Sequence, residues 1–170
     1  MNSFAADRKE RVNQRCEKGK QMSKLNWKLL TKKRGSSTPG LPPGKEALAW
    51  VTNTVTLIYG DRHAVLVDTF LPIQHSKELL DCVAESGKNL TTIYVTHAHG
   101  DHFFGLKLLL EKFPNARAFA TASAVAAMQK QIDTDFIKSF WEPRFPRQVP
   151  SLLAVPEVLE GNASISREKS

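Results

Sequence analysis

Three of the five histidines in this chain lie within residues 97–102, with an aspartate just before the third. Neutral imidazole and carboxylate are the usual ligands of zinc and of other divalent metal ions. Because side chains two residues apart in an extended segment point the same way, His97 and His99 can hold one ion. Asp101 and His102 follow directly and can face a second ion beside the first. The alternative is a histidine-rich loop that is solvated or that caps the following helix.

Two elements flank this segment and would position it. Residues 91–95 form an apolar, β-branched run that is typical of a buried strand, and residues 103–113 have the pattern of a helix that ends at Pro114. The histidines are therefore predicted at the carboxyl end of a strand, on the turn into a helix. Open α/β sheets bind their ligands at such points.

Strands and helices alternate along the rest of the chain. Strands are predicted at residues 25–31, 50–59, 64–67 and 117–120, with Gly60-Asp61 as the hairpin turn between the second and the third. Helices are predicted at residues 73–86, 122–131 and 133–141, the second capped by Thr121 and the last ending before Pro143. This alternation indicates an α/β fold with a mixed sheet.

The composition is that of one globular domain. A chain of 170 residues with 41% hydrophobic residues can bury one good core. No run approaches the roughly 18 apolar residues of a transmembrane helix, so no membrane partner is expected. The two cysteines, Cys16 and Cys82, lie far apart and have no ligand spacing, which fits a reducing compartment. We therefore expect a cytoplasmic protein.

The formal net charge of +7 is concentrated near the N-terminus. Residues 1–44 hold eleven Lys/Arg against three Asp/Glu, whereas the remainder is close to neutral. Residues 1–21 are predicted to be a charged, disordered tail and residues 162–170 a polar tail. We interpret Lys32-Lys33-Arg34 as a solvated strand end in preference to a nuclear-import or phosphate-binding patch. Because the basic charge does not lie on the fold itself, a nucleic-acid-associated protein is the least favoured function.

Residues 96–102, followed by Phe103-Phe104-Gly105, resemble the signature loop of the metallo-β-lactamase superfamily. Residues 50–59 and 63–68 resemble the early paired strands of that family, and Val67-Asp68-Thr69 resembles the strand end before its first helix. The resemblance covers about residues 22–160. It implies the N-terminal half of an αββα sandwich.

The resemblance also implies metal-dependent hydrolysis of a small molecule. His97 and His99 would hold a first zinc ion, and Asp101 and His102 would face a second; iron or manganese are alternatives to zinc. Asp101 would also be catalytic, because it could orient the water nucleophile or handle a proton. Asp68 would orient the metal-binding residues, in addition to capping a turn. Lactam, lactone, thioester and phosphodiester hydrolases share this loop, so the substrate is left open.

The sequence departs from the family after His102. A complete member supplies a further histidine for the first ion, a bridging aspartate and a last histidine, whereas here no histidine follows His102, and Asp133 and Asp135 fall in a predicted helix. We therefore expect a domain over residues 22–161 that is incomplete at its C-terminus. It would be a truncated hydrolase that binds metal weakly by itself. The alternative is a non-catalytic binding or regulatory half-domain that associates through an uncovered apolar sheet face.

Overall fold

A computed structural model of the protein describes residues 24–38 and 40–160, and the predicted tails at residues 1–21 and 162–170 lie outside the described residues. Within them, strands β1 to β6 form one sheet in sequence order. The first three strands pair antiparallel and β3 to β6 pair parallel. This mixed sheet confirms the predicted fold class. The strands are β1 (Asn26–Gly35), β2 (Trp50–Tyr59), β3 (His63–Val67), β4 (Asn89–Tyr94), β5 (Arg117–Ala120) and β6 (Glu157–Val158).

Helices connect the parallel strands, as the alternating pattern predicted. Gly87 follows the first of them with a φ of 64°, a left-handed conformation that ends a helix readily. The hydroxyl of Thr121 accepts a hydrogen bond from the N–H of Ala124 at 3.3 Å, which confirms it as a helix cap. The helices are α1 (Ile73–Glu85), α2 (Gly100–Phe103), α3 (Leu106–Lys112) and α4 (Ala122–Gln131).

The segment after α4 is not the single helix that the sequence predicted. A short helix α5 (Thr134–Phe136), a π-helical turn (Ile137–Trp141) and a short helix α6 (Glu142–Arg144) follow one another. The prediction that helical structure ends before Pro143 is wrong. Pro143 lies in the first turn of α6, where a helix does not use the missing N–H.

The hydrophobic core lies between the sheet and the helices. Val55 and Leu57 of β2 are buried in one cluster with Leu79 and Val83 of α1. A second cluster contains Phe103 and Phe104, which follow the histidine-rich loop and are fully buried, together with Leu71, Val95, Ala120, Ala124, Val125, Met128, Trp141 and Phe145. The loop is therefore anchored through the two phenylalanines directly after it.

The opposite face of the sheet exposes large apolar side chains at its β1–β2 end. Trp27 and Leu29 of β1 are 70% and 56% exposed, and Trp50 of β2 is 55% exposed. The register of the two strands places all three on the same face, where the hydroxyls of Thr31 and Thr54 lie 3.0 Å apart. We call Trp27, Leu29 and Trp50 the outer patch.

Strand β1 continues beyond the predicted end at residue 31 and includes the basic run. Arg34 is only 9% exposed, so its prediction as part of a solvated strand end is wrong. The physical reason is the alternation of side chains along the longer strand, which turns Lys32 and Arg34 toward the helix side of the sheet. Lys32 pairs there with Glu78 of α1.

Within residues 24–38 and 40–160, no helix combines the length and the apolar composition needed to cross a membrane.

Candidate metal centre

The three histidines of residues 97–102 meet at the carboxyl end of β4. The ring centroid of His97 lies 4.7 Å from that of His99 and 4.0 Å from that of His102. His99 is the N-cap residue of α2, so the chain changes from extended to helical inside the cluster. His97 and His102 are half-buried and His99 is exposed. The structure thus brings the three predicted imidazoles together at a strand–helix turn.

Asp68 fixes the orientation of His102. The Nδ1 atom of His102 lies 2.9 Å from Oδ2 of Asp68. An ionised carboxylate can only accept a hydrogen bond, so Nδ1 carries a proton and donates it. In the neutral imidazole, Nε2 is then the unprotonated nitrogen, which is the form that binds a metal ion.

Thr96 connects Asp68 to His97 and fixes the tautomer of His97 in the same way. The Thr96 hydroxyl lies 2.8 Å from Oδ2 of Asp68 and 2.9 Å from Nδ1 of His97. Its single proton is donated to the carboxylate, so the hydroxyl oxygen accepts a hydrogen bond from Nδ1–H of His97. Nε2 of His97 is therefore also the unprotonated nitrogen. One carboxylate sets the tautomer of two candidate ligands, one directly and one through a hydroxyl.

Asp68 is itself held by the backbone around it. It follows β3 with a φ of 65°, in the left-handed region that Asp and Asn adopt more readily than most residues. Its N–H donates to the carbonyl of Tyr94 at 2.9 Å, and its carboxylate accepts the N–H of Thr96 at 2.7 Å. The side chain is buried, with 6% of the residue exposed. These bonds tie the end of β3 to the end of β4, where the histidines begin.

Asp101 contacts one residue from β1 and one from β2. Its Oδ2 accepts hydrogen bonds from Nη2 of Arg34 at 2.5 Å and from Nδ2 of Asn53 at 2.6 Å. Burial by itself would raise the pKa of Asp101, but the hydrogen bonds from Asn53 and Arg34 and the charge of Arg34 outweigh it and lower the pKa below its ordinary value. Asp101 is therefore ionised at neutral pH.

The pKa values of two of the histidines are shifted in opposite directions. Burial would lower the pKa of His102, but the hydrogen bond to Asp68 and the charges of Asp101 and Asp68 outweigh it and raise the pKa. Burial lowers the pKa of His97, and the nearby His102 and His99 lower it further. In the metal-free chain, His102 therefore keeps its proton to a higher pH than His97.

The cluster offers the nitrogen and oxygen donors that zinc prefers, but too few of them converge on one point to complete a zinc site. In their neutral form, His97 and His102 each present an unprotonated Nε2, and His99 lies exposed beside His97. In the part of the chain that the structure describes, no three His, Cys, Asp or Glu side chains are placed to hold one metal ion together. The carboxylate of Asp101 is already engaged in this arrangement, because two donors share its Oδ2.

A cleft of about 420 Å³ opens beside the cluster. Its charged and polar lining comes mainly from Arg34, His99 and Asp101, and its apolar lining includes three aromatic side chains. Ligand sites are typically concave and mostly apolar, with a few polar groups that fix orientation. The remaining lining residues are Ser37, Val51, Gln131, Phe136, Phe140 and Trp141.

Two glycines allow the close packing of the loop. A Cβ on Gly100 would lie 2.8 Å from the ring of Phe104 and 2.9 Å from the ring of Trp141. A Cβ on Gly105 would lie 2.5 Å from Oγ of Ser76 and 2.9 Å from the carbonyl oxygen of Phe70. The loop and the start of α3 can approach their neighbours this closely only without side chains at these positions.

Sequence reasoning missed Arg34 and Asn53 as members of the site. Arg34 pairs with Val51 across the two strands, and Lys32 pairs with Asn53. Arg34 and Asn53 therefore lie on the same face of the sheet, the helix side. The sequence of β2 could have indicated Asn53, because the residues two positions before and after it, Val51 and Val55, are apolar. A polar residue in such a row is expected to point inward with them. For Arg34, extending the alternation of the predicted first strand by a few residues would have turned its side chain inward.

The structure thus combines a mixed α/β sheet with a histidine-rich loop at the end of one of its parallel strands. The family model described as the metallo-beta-lactamase superfamily matches residues 48–163, which is more than half of the chain. The chain belongs to the metallo-β-lactamase superfamily, as the resemblance of residues 96–102 indicated.

Similar curated proteins include two hydroxyacylglutathione hydrolases. The protein of Francisella tularensis subsp. novicida is 38% identical over 64 residues, which is 38% of this chain and 24% of that protein. The protein of a Synechocystis species is 46% identical over 44 residues, which is 26% of this chain and 17% of that protein. The chain therefore spans about a quarter or less of the length of these relatives.

Similar solved structures include two metallo-β-lactamases. The FIM-1 enzyme of Pseudomonas aeruginosa, in its mono-zinc form, is 16% identical with a TM-score of 0.47, over 61% of this chain and 42% of that one. The DIM-1 enzyme is 19% identical with a TM-score of 0.48, over 63% of this chain and 47% of that one.

Proposed function

We propose that this chain contributes the histidine-rich part of a zinc-dependent hydrolytic centre. The observation that carries the proposal is the set of three imidazoles that meet after β4. Asp68 orients His102 directly and His97 through Thr96, so that Nε2 is the unprotonated nitrogen of each neutral ring. In this proposal His97 and His99 hold the first ion, and Asp101 and His102 face the second. The further ligands come from outside residues 1–170. Iron or manganese could replace zinc at the same nitrogen and oxygen donors.

A bound zinc ion lowers the pKa of a coordinated water to about 7 and polarises a substrate oxygen. The protein residues would position that water and the substrate. Asp68 and Thr96 keep His97 and His102 in the orientation that the ion requires. Asp101, ionised at neutral pH, would accept a hydrogen bond from the attacking water and help to orient it. The cleft lined by Phe136, Phe140 and Trp141 would exclude bulk water from the reacting bond.

The proposed substrate is a small molecule with a hydrolysable acyl bond, and a thioester is the first class to test. The curated relatives are named hydroxyacylglutathione hydrolases, and the aromatic cleft would accept the apolar part of an acyl compound. The expected location of such an enzyme is the cytoplasm, where both the reduced cysteines and a thiol-derived substrate would be stable.

Zinc binding by the 170-residue chain is the direct test. We expect the wild-type chain, equilibrated with zinc, to bind zinc weakly at the histidines, and His97→Ala and His99→Ala to weaken that binding by more than about tenfold. His63→Ala is the matched control, because His63 is an exposed histidine at the start of β3. Zinc content is measured by plasma mass spectrometry. If His97→Ala and His99→Ala bind as much zinc as wild type and the control, the proposal fails.

Hydrolysis is tested separately with a 2-hydroxyacylglutathione thioester, followed by release of the thiol. In the proposal, activity requires the missing ligands, so the chain alone turns over slowly or not at all. A C-terminal half from a relative, added in trans, should raise the rate, and the rise should disappear with His97→Ala. A rise that survives in His97→Ala would come from the added half alone and would contradict the proposed role.

A second candidate function is a non-catalytic binding half-domain, and the outer patch favours it. Trp27, Leu29 and Trp50 form an exposed apolar surface on a sheet edge, which is typical of an interaction site. Self-association through this patch predicts that Trp27→Lys shifts the sedimentation coefficient to that of a monomer. Leu152→Lys is the control, because Leu152 is equally exposed, at 62%, but lies outside the outer patch.

A further inference from the structure

Arg34 occupies an unusual position for a charged residue. It lies one residue before the end of β1, on the helix side of the sheet, and only 9% of it is exposed. Its guanidinium lies 5.4 Å from the ring centroid of Phe145, in a cluster of buried aromatic side chains. Arginine is rarely buried to this degree unless it is paired. The role of Arg34 therefore depends on the group with which it pairs.

That partner is the carboxylate of Asp101, 67 residues away in sequence. Nη2 of Arg34 donates to Oδ2 of Asp101 at 2.5 Å, and Nη1 donates to the carbonyl oxygen of Gly35 at 2.8 Å. Nδ2 of Asn53 donates to the same Oδ2 and also to the backbone carbonyl of Asp101 at 3.3 Å. The negative charge of Asp101 is thus compensated by Arg34, and its buried carboxylate is held in place by Arg34 and Asn53.

We propose that Arg34 and a second metal ion compete for the carboxylate of Asp101, so that the chain binds its ions one at a time and the second only by displacing Arg34. This inference rests on the proposed function, because it takes His97 and His99 as the site of the first ion. The first ion needs no contact with Asp101. The second would meet the positive charge of Arg34 at the carboxylate of Asp101.

Electrostatics gives the direction of the effect. Arg34 and Asp101 are both less than a tenth exposed, so solvent and salt screen their interaction little. A divalent ion at either oxygen of Asp101 would therefore be repelled by the guanidinium unless that group moved away. His102 is the other group proposed to face the second ion. Its Nε2 lies 3.7 Å from Oδ2 of Asp101, the oxygen that Arg34 contacts. An ion between His102 and Asp101 would therefore lie close to the guanidinium.

The structure also gives Arg34 a route for displacement. Among the described residues, its Nε has no hydrogen-bond partner, so movement of the guanidinium breaks no bond at that atom. Arg34 lines the same cleft as His99 and Asp101, and the displaced guanidinium would move into that cleft. Arg34 is in this view a positioning residue that sets the metal content of the site and does not touch the first ion.

Equilibrium dialysis of the 170-residue chain against zinc tests the competition. We expect wild type to bind a first zinc with higher affinity than a second. Arg34→Met should lower the dissociation constant of the second zinc by about tenfold or more, on the scale by which a neighbouring arginine changes the proton affinity of a carboxylate. The first dissociation constant should change by less than about twofold. Adding Asp101→Asn to Arg34→Met should remove the gain, and Arg34→Lys, which keeps the charge, should show little gain.

A second measurement uses the wild-type chain, in case Arg34→Met does not fold. The side-chain N–H signals of Arg34 are followed by NMR during a zinc titration. We expect them to stay unchanged over the first equivalent and to shift or broaden over the second. The proposal is overturned if they respond together with His97 at the first equivalent, or if two ions bind while they remain unchanged. A folded Arg34→Met variant with an unchanged second affinity overturns it as well.

These results separate the inference from the proposed function. If His97→Ala leaves the first zinc in place, the proposed function has failed. If His97→Ala removes the first zinc and Arg34→Met leaves the second unaffected, the histidine site stands and the competition at Asp101 is wrong.

Discussion

The Nδ1 atom of His102 lies 2.9 Å from Oδ2 of Asp68, although the two residues are 34 positions apart in sequence. The contact links the end of β3 to the first turn of α2, and it fixes which ring nitrogen of His102 can face a metal ion. Thr96 connects the same carboxylate to His97. The tautomers of His97 and His102 are therefore set largely by a single buried side chain.

Asp68→Asn should weaken zinc binding by about 10- to 100-fold, because an amide can donate as well as accept and no longer fixes the tautomer of His102. Asparagine tolerates the left-handed φ of this position, so the backbone should be preserved. The measurement is zinc competition with a chromophoric chelator. Asp61→Asn, in the exposed turn before β3, is the control. Equal weakening in both variants would indicate a charge effect without specific orientation.

Thr96→Val should free the tautomer of His97 without changing the shape of the side chain. Nitrogen NMR of the metal-free wild type should show His97 protonated at Nδ1 and unprotonated at Nε2, and the variant should show a mixture. Zinc affinity should fall by about two- to tenfold, the contribution of one hydrogen bond. Thr92→Val in β4 is the matched control. An unchanged nitrogen spectrum would mean that Thr96 does not orient His97.

The metal-free chain should show a pH dependence that comes from the Asp68–His102 pair. Because the folded pKa of His102 is raised above 6.5, the pair stabilises the folded state fully below pH 6.5. That stabilisation is lost as the pH rises through the folded pKa of His102. The difference in unfolding free energy between wild type and Asp68→Asn should therefore be largest in acid and shrink toward alkaline pH.

Urea unfolding in the presence of a chelator, at several values of pH, measures this difference. His97, whose pKa is lowered, acts in the opposite sense, and the charge of Asp68 acts on it as well. The same comparison made in a His97→Ala background therefore isolates His102. A difference that grows as the pH rises would be the reverse of the expected sign.

Gly105→Ala should destabilise the fold by about 1–3 kcal/mol, the usual cost of adding a methyl group to a tightly packed site. The new Cβ would lie 2.9 Å from the carbonyl oxygen of Phe70, and backbone cannot move aside as a flexible side chain can. Urea unfolding gives the magnitude. Gly35→Ala is the control, because its Cβ would meet nothing within 4 Å. Similar losses in the two variants would argue against the packing explanation.

Elements with a clear local pattern were predicted well from the sequence. The alternation of Trp50–Tyr59, the turn at Gly60-Asp61 and the spacing of Ile73–Glu85 each reflect interactions between residues close in the chain. The prediction lost accuracy where neighbours from elsewhere decide the conformation. The segment from Thr134 to Arg144 contains a π-helical turn whose Trp141 is buried against residues of other elements, and no local pattern encodes that contact.

The sequence by itself determined the family and the three clustered imidazoles, because His97, His99 and His102 lie within one short loop and need no distant partner to meet. Only the tertiary structure decided how those groups are held and charged. Asp68 reaches His102 across 34 residues and Arg34 reaches Asp101 across 67, and both contacts depend on the order and register of the strands. Strand register is a long-range property, set by the packing of the whole sheet, so the spacing of residues 97–102 carries no information about it.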